Sequence, residues 1–257
     1  AECALGPVAG AAAQSLESWT AEDAAELMLV VATSSQGSAN SLGAKRLFGR
    51  VTEVLTPRLS ALSATVLLKV VVAAGAASAY CKDLLEAAAN KAVLKGAEMK
   101  PEQVMLLTQG VLPLGGTHTV VIRLVNFWAQ LLAGSDKKAP VLPPDDIAQL
   151  AMLLSMVAPD HSLVFHVIGT RLQEVSSSLT EAGYASLEAA FPGGAGPSFP
   201  GKEELLAAAA DLRAKRAEQS SKSKANLVPR KDRSRSPRRD RSRTPRRERS
   251  RSRSRRR

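Results

Sequence analysis

The sequence predicts an all-α fold: an α-solenoid of about five helix-pair repeats of 37–43 residues, followed by a disordered basic tail rich in Arg and Ser. Three observations predict it. A hydrophobic anchor recurs at Trp19, Leu62, Met99, Leu142 and Leu179, with spacings of 43, 37, 43 and 37. Each anchor is followed by residues that start a helix. Charge is also divided along the 257 residues: Lys222 to Arg257 holds 18 Lys/Arg against Asp232, Asp240 and Glu248, a net of +15, and the remainder carries −4.

Residues 1–17 read as a short Ala-rich lead-in, and the helical-repeat domain occupies 18–191. The chain begins at Ala1 rather than Met, which suits a fragment or a processed chain, and the stretch Ala9 to Ala13 is no targeting signal. One residue past each anchor stand Thr20, Ser63, Lys100, Pro143 and Thr180, three of them good N-cap residues. Next come Ala21, Ala64, Pro101, Pro144 and Glu181. Proline is tolerated in the first helical turn and not in a helix interior. Glu22, Glu102 and Asp145 follow, where carboxylates meet the positive end of the helix dipole.

The apolar positions repeat in the same frame. Five residues after the anchors lie Ala24, Leu67, Val104, Ile147 and Tyr184; eight after lie Leu27, Val70, Leu107, Leu150 and Leu187; twelve after lie Val31, Ala74, Val111, Leu154 and Phe191. Those offsets trace one helix face, and no alternation of period two is sustained. A second amphipathic segment completes each pair. These segments contain Leu47, Phe48, Val51, Val54 and Leu55; Leu84, Leu85, Ala88 and Ala92; Leu124, Phe127, Trp128 and Leu131; and Phe165, Ile168, Leu172 and Val175. Looser stretches at Thr33–Gly43 and Ala133–Val141 account for the longer units one and three. An irregular helical bundle is the alternative arrangement of the same helices.

A Gly/Pro linker, 192–201, ends the repeats, and a single helix is predicted at 202–219, with Glu203 and Glu204 at its start and Arg213, Lys215 and Arg216 towards its end. Residues 220–257 then form the tail. From Arg233 it reads RSRSPRRD, RSRTPRRE, RSRSRSRR and a final Arg257. An eight-residue charged repeat nearly free of apolar side chains cannot offset the entropy of ordering, so disorder is expected.

The Arg/Ser alternation of Arg233–Arg257 resembles the RS domains of SR-type splicing factors and SR-related nuclear proteins. The resemblance implies residence in the nucleus, in speckles, contact with RNA and with other RS-domain proteins, and phosphorylation by SR-protein kinases. Phosphate-contacting candidates are Arg233, Arg235, Arg238, Arg239, Arg241, Arg243, Arg246, Arg247, Arg249, Arg251, Arg253, Arg255, Arg256 and Arg257. Guanidinium groups pair with phosphates in a fork geometry, and a flexible polycation binds RNA chiefly by releasing counterions. The phosphorylation candidates are Ser234, Ser236, Ser242, Thr244, Ser250, Ser252 and Ser254. Seven phosphates would add roughly −10 to −14, nearly cancelling the tail's charge. A solvated tail that acts only as a nuclear import signal is the simpler alternative.

In the body, Leu142, Pro144, Asp146, Ile147, Ala148, Leu150 and Leu154 form a segment similar to the first helix of repeats in FAST-kinase-like, RAP-domain and octotricopeptide proteins. That similarity implies an α-solenoid and, in those families, handling of RNA in mitochondria or plastids. Where many such repeats carry Trp, this chain has Leu29, Val72, Gln109, Met152 and Ala189, and no RAP-like α/β region precedes the tail.

The body's composition points away from nucleic acid. Its 17 Lys/Arg are outnumbered by 21 Asp/Glu, and the candidate basic clusters are Lys45, Arg46, Arg50 and Arg58 in unit one, Lys91 and Lys95 in unit two, and Lys137–Lys138 in a connection, which read as solvated faces. Nine aromatic residues in the whole chain supply no stacking platform. A surface that docks a protein partner suits it better.

No catalytic constellation is legible, and no cofactor or metal is called for. Gly196 to Glu203 has phosphate-loop spacing, but Glu203 stands where magnesium needs Ser or Thr, and Pro197 and Pro200 lack N–H groups. His161 and His166 are five apart rather than four, so they read as a turn residue and a partly buried helix residue; the remaining histidine is His118. Asp145–Asp146 read as helix-start acids, Cys81 as a small core residue, and Trp128 as core. Cys3 and Cys81 are too few for a disulfide framework or a zinc site. The most apolar run, Val66 to Ala79, is too short to span a bilayer and contains Lys69.

Together these features predict a non-enzymatic nuclear protein of RNA metabolism, related to pre-mRNA splicing, with a protein-docking body and a phosphorylation-regulated tail. The rivals are an organellar-type helical-repeat RNA binder and a nuclear scaffold with no RNA role.

Overall fold

The computed structural model describes residues 5–34, 41–134 and 142–225. Among them every regular element is helical, with no strand. In chain order the helices are α1 (Leu5–Ser15), α2 (Ala21–Thr33), α3 (Leu42–Leu55), α4 (Ala64–Ala76), α5 (Ser78–Leu94), α6 (Pro101–Val111), α7 (Thr119–Ala133), α8 (Pro144–Val157), α9 (Ser162–Val175), α10 (Glu181–Ala190) and α11 (Lys202–Ala225). The chain divides into two units, Ala1–Ala214 and Lys215–Arg257. The first contains the packed helices; of the second, only helical residues 215–225 are described.

The five first helices, α2, α4, α6, α8 and α10, all begin two residues past an anchor, where the helix-start residues place them. Thr20 Oγ1 accepts the Asp23 N–H at 3.1 Å, Ser63 Oγ that of Val66 at 3.4 Å, and Thr180 Oγ1 that of Ala182 at 3.2 Å. Pro101 and Pro144 occupy the first turn of α6 and α8, where no N–H partner is lost. The residues five, eight and twelve past the anchors are buried, apart from Leu27 and Tyr184, which are half-buried. In α2 the neighbouring Met28 fills the place of Leu27. Each fully buried Leu, Val or Ile is worth about 1.5–3 kcal/mol, so this face holds the helices together.

Contacts follow a regular order. Each first helix touches the next (α2 on α4, α4 on α6, α6 on α8, α8 on α10), each second helix touches the next (α3 on α5, α5 on α7, α7 on α9), and the members of each pair touch one another. At the α4–α6 contact the backbones meet: a Cβ on Gly75 would lie 2.2 Å from the Gly110 carbonyl oxygen. Between α6 and α7, Trp128 is fully buried, and its indole N–H donates to Thr108 Oγ1 at 2.8 Å. Thr108 in turn donates to the Val104 carbonyl.

Three elements differ from the sequence prediction. The lead-in holds a helix, α1, which packs on α3; Ala9, Ala12 and Ala13 are buried, as is Leu16 just past its end. The α4–α5 connection is a single residue, Ala77, and α5 is kinked at Cys81. Finally, α11 runs past Gln219 to Ala225.

Candidate nucleic-acid interface

The tail candidates, Arg233 to Arg257 with their interleaved Ser and Thr residues, lie outside the described residues, as do Lys137, Lys138 and Cys3. Apart from Lys137 and Lys138, the body's cations lie among the described residues, and several are engaged. Arg50 donates to Glu17 at 2.6 Å and to Glu53 at 2.5 Å; hydrogen bonding to Glu53 first, then Glu17, holds its pKa above the usual value. Lys45 sits over the Tyr80 ring, 5.1 Å from its centroid. Lys95 caps the Leu62 carbonyl at 2.7 Å, and Lys69 lies between Glu22 and Glu26 at 3.6 and 3.4 Å. Arg171 pairs with Glu174 at 2.8 Å and reaches the Leu132 carbonyl at 3.0 Å; Arg213 pairs with Glu188. Arg46, Arg58, Lys82, Lys91, Lys100 and Lys215 are exposed, on separate elements or turns. The sequence cluster in unit one therefore contributes two exposed guanidiniums rather than a basic face.

The other candidates resolve into structural roles. Asp145 is not half of a catalytic pair: its Oδ1 accepts the Thr180 N–H at 2.9 Å and its Oδ2 the Thr180 hydroxyl at 2.5 Å, tying the start of α10 to α8. His161 is the N-cap of α9. Its Nδ1 accepts the Val164 N–H at 3.4 Å and its Nε2 faces Asn126 Oδ1 at 3.1 Å. His118 caps α7 in the same way, taking the Val120 N–H at 3.3 Å, with Nε2 3.3 Å from Glu86. With both ring nitrogens engaged, neither imidazole is placed as a general base. His166, expected to be partly buried, is exposed, because Phe165, Ile168 and Leu172 define the inward face of α9. Burial pushes the Cys81 thiol up to about 11, the opposite of what a nucleophile needs. Trp128 belongs to the core, and half-buried Phe127 packs against that core.

Two features escaped sequence reasoning. Lys202, in the phosphate-loop look-alike, turns inward: its ammonium donates to the carbonyls of Ala195, Gly196 and Pro197 at 3.0, 3.2 and 3.0 Å and lies 5.0 Å from the Phe191 ring centroid. Burial lowers its pKa. The loop thus binds its own lysine instead of a phosphate, and backbone acceptors leave no residue-type signal in a sequence. The second feature is an open groove of about 510 Å³ between the α6–α7 and α8–α9 connections, lined by Gly116, Thr117, Ile122, Val157, Pro159 and His161. It is mostly apolar, with Thr117, Asp160 and His161 as its polar side chains.

Among the described residues no group of three or more His, Cys, Asp or Glu is placed to hold a metal, and no helix is long and apolar enough to cross a membrane. No protein-family model matches the chain, and neither a curated protein nor a solved structure matches it.

Proposed function

We propose that this chain is a non-enzymatic nuclear protein of RNA metabolism, related to pre-mRNA splicing, in which an α-solenoid body docks a protein partner and an RS-type tail contacts RNA. One observation carries the reading: the eight-residue Arg/Ser repeat of Arg233–Arg257, which concentrates the chain's positive charge beside seven phosphorylatable hydroxyls. The tail arginines bind RNA phosphates and, with their serines, associate with other RS-domain proteins. SR-protein kinases acting on Ser234, Ser236, Ser242, Thr244, Ser250, Ser252 and Ser254 bring the tail close to neutrality and shift it from RNA to protein. The helix-to-next-but-one contacts support the solenoid, since stacked pairs bury faces that no pair buries alone. The engaged body cations support a division in which the body does not hold the RNA.

The test compares RNA binding by the full chain and by the chain lacking Arg233–Arg257, at 50 and 200 mM salt. The full chain is expected to lose affinity on the order of 10³-fold over that range, as six or more phosphate contacts require, and truncation to abolish the high-affinity binding. Salt-insensitive RNA binding that survives truncation favours the organellar-type reading, which the α8 segment alone supports. Truncation should also abolish nuclear accumulation in cells.

A further inference from the structure

We propose that residues 192–201 form a strap covering the side of α9 that faces away from α7, and that the buried Lys202 ammonium is its catch, setting how often the strap opens. The inference is independent of the tail and its RNA reading. The contacts among second helices show what the strap covers. In α5 and α7 one side chain receives the imidazole that caps the next second helix: Glu86 lies 3.3 Å from His118, and Asn126 3.1 Å from His161. Asn126 stands eighth in α7, and the eighth residue of α9 is Gly169. There the neighbour is not a helix cap but Phe199, whose Cδ2 would lie 2.6 Å from a Cβ on Gly169. One turn further along α9, a Cβ on Gly201 would lie 2.2 Å from the Gln173 side chain. The strap thus lies along the face of α9 equivalent to the one that α7 offers to α9. Aromatic rings seal it: Phe191 stands edge-on to Phe165 of α9 with centroids 6.0 Å apart, and Phe199 packs on Phe191 at 5.0 Å.

Lys202 is buried at the end of the strap, only 9% exposed. Its ammonium has three N–H donors, and the carbonyls of Ala195, Gly196 and Pro197 take one each. Gly196, at φ 86°, turns the backbone so that these consecutive carbonyls converge on one point. With no cation between them they would be acceptors without a donor. The faces of Phe191 and Phe199, 5.0 and 6.0 Å from the ammonium, add to its attraction. Among the described residues none of its partners is a carboxylate, whereas Lys69 and Arg171 pair with glutamates. A desolvated cation surrounded by dipoles alone gives back much of what its contacts gain. Opening hydrates the ammonium and the carbonyls together and costs the burial of Phe199. That balance makes the strap a unit that opens locally, ahead of the helices. Opening uncovers Gly169 and Gln173, a face shaped for the next helix of a stack.

The experiment is hydrogen exchange, read by mass spectrometry of peptides, on the full-length chain and on its Lys202→Ala and Lys202→Met variants. In the wild type the strap should exchange at least tenfold faster than α7. Both substitutions strand the three carbonyls and should raise exchange across 192–201 a further tenfold or more, with α5 and α7 unchanged. Chymotrypsin should then cut the native variants at Phe199. n-Propylammonium replaces the atoms that Lys202→Ala removes and should return its strap to within threefold of wild-type exchange. Tetramethylammonium carries the same charge without an N–H donor and should not. Lys202→Met fills the space with carbon and sulfur and should stay open in n-propylammonium. Wild-type exchange in both variants overturns the proposal, because the strap then closes without its catch. So does rescue of Lys202→Ala by tetramethylammonium, which makes the effect one of ionic strength, or no rescue by n-propylammonium. An equal rise in α5 and α7 makes Lys202 a residue of global stability, and a wild-type strap as protected as α7 removes the local opening; either result also overturns it.

Discussion

At the α4–α6 contact the backbone itself is a contact surface, whereas the second helices meet through long side chains. Gly75 in α4 faces Gly110 in α6 with no room for a Cβ. The second helices meet through the stacked rings of Phe48 and Tyr80, through His118 and Glu86, and through Asn126 and His161. Backbone contact sets one spacing and tolerates little. Side-chain contact can be rebuilt by another rotamer. The α4–α6 approach is therefore fixed more tightly than the contacts among α3, α5, α7 and α9.

The sharpest way to break this contrast is to add carbon to one glycine on each side. Gly75→Val pushes a branched side chain into the Gly110 carbonyl and should cost about 3 kcal/mol of unfolding free energy. Gly49 lies exposed in α3, and its Cβ would meet nothing within 4 Å. Gly49→Ala should stabilise by about 0.5–1 kcal/mol, from helix propensity and reduced freedom of the unfolded chain. Urea denaturation of both variants decides it. Equal losses would mean that the α4–α6 approach is no tighter than the surface of α3.

The next effects lie where the two series join. Cys81, at the start of α5, donates its thiol hydrogen to the Ala77 carbonyl at 3.2 Å and is pushed up from the ordinary 9.0 to about 11. As pH rises, the unfolded chain loses that proton first. The stabilisation is intact below about pH 9 and disappears by about pH 11, a loss on the order of 2–3 kcal/mol. With Cys3→Ser in place to remove the other thiol, native Cys81 should resist a thiol reagent at pH 8 and react once urea unfolds the chain; rapid native labelling would refute the buried placement. Thr108→Val removes the acceptor of the Trp128 N–H in a buried site and should cost about 1–2 kcal/mol, with a shift in tryptophan fluorescence.

Legibility in the sequence follows the same division. All five first-helix starts were readable, since hydroxyl caps, first-turn prolines and acids are residue-type signals at fixed offsets. Helix α1 was not, because its buried face is Ala9, Ala12 and Ala13 with Leu16, and alanines mark no amphipathic edge. The short α4–α5 join at Ala77 carries neither Gly nor Pro to announce it. At the candidate site, the demotion of Asp145 and Trp128 to structural roles was foreseeable from spacing. Lys202 was not, since its partners are carbonyls.

The smallest effects test whether the two series also differ in how they begin. First helices α2, α4 and α10 are capped by hydroxyls, as is the second helix α3 by Ser41, whereas second helices α7 and α9 are capped by imidazoles. Thr180→Ala removes a cap and also the hydroxyl donor to Asp145 Oδ2, so it should cost about 1–2 kcal/mol. The Thr180 backbone N–H survives the substitution, which keeps the loss below that of a stranded carboxylate. His118→Ala removes one cap acceptor and a single contact to Glu86, and should cost about 1 kcal/mol. His118→Asn, an effective N-cap with no reach to Glu86, should recover most of that. If His118→Asn unfolds as readily as His118→Ala, the ring serves to bridge α5 and α7 rather than to start α7, and the contrast in cap chemistry reduces to the contrast in side-chain contacts.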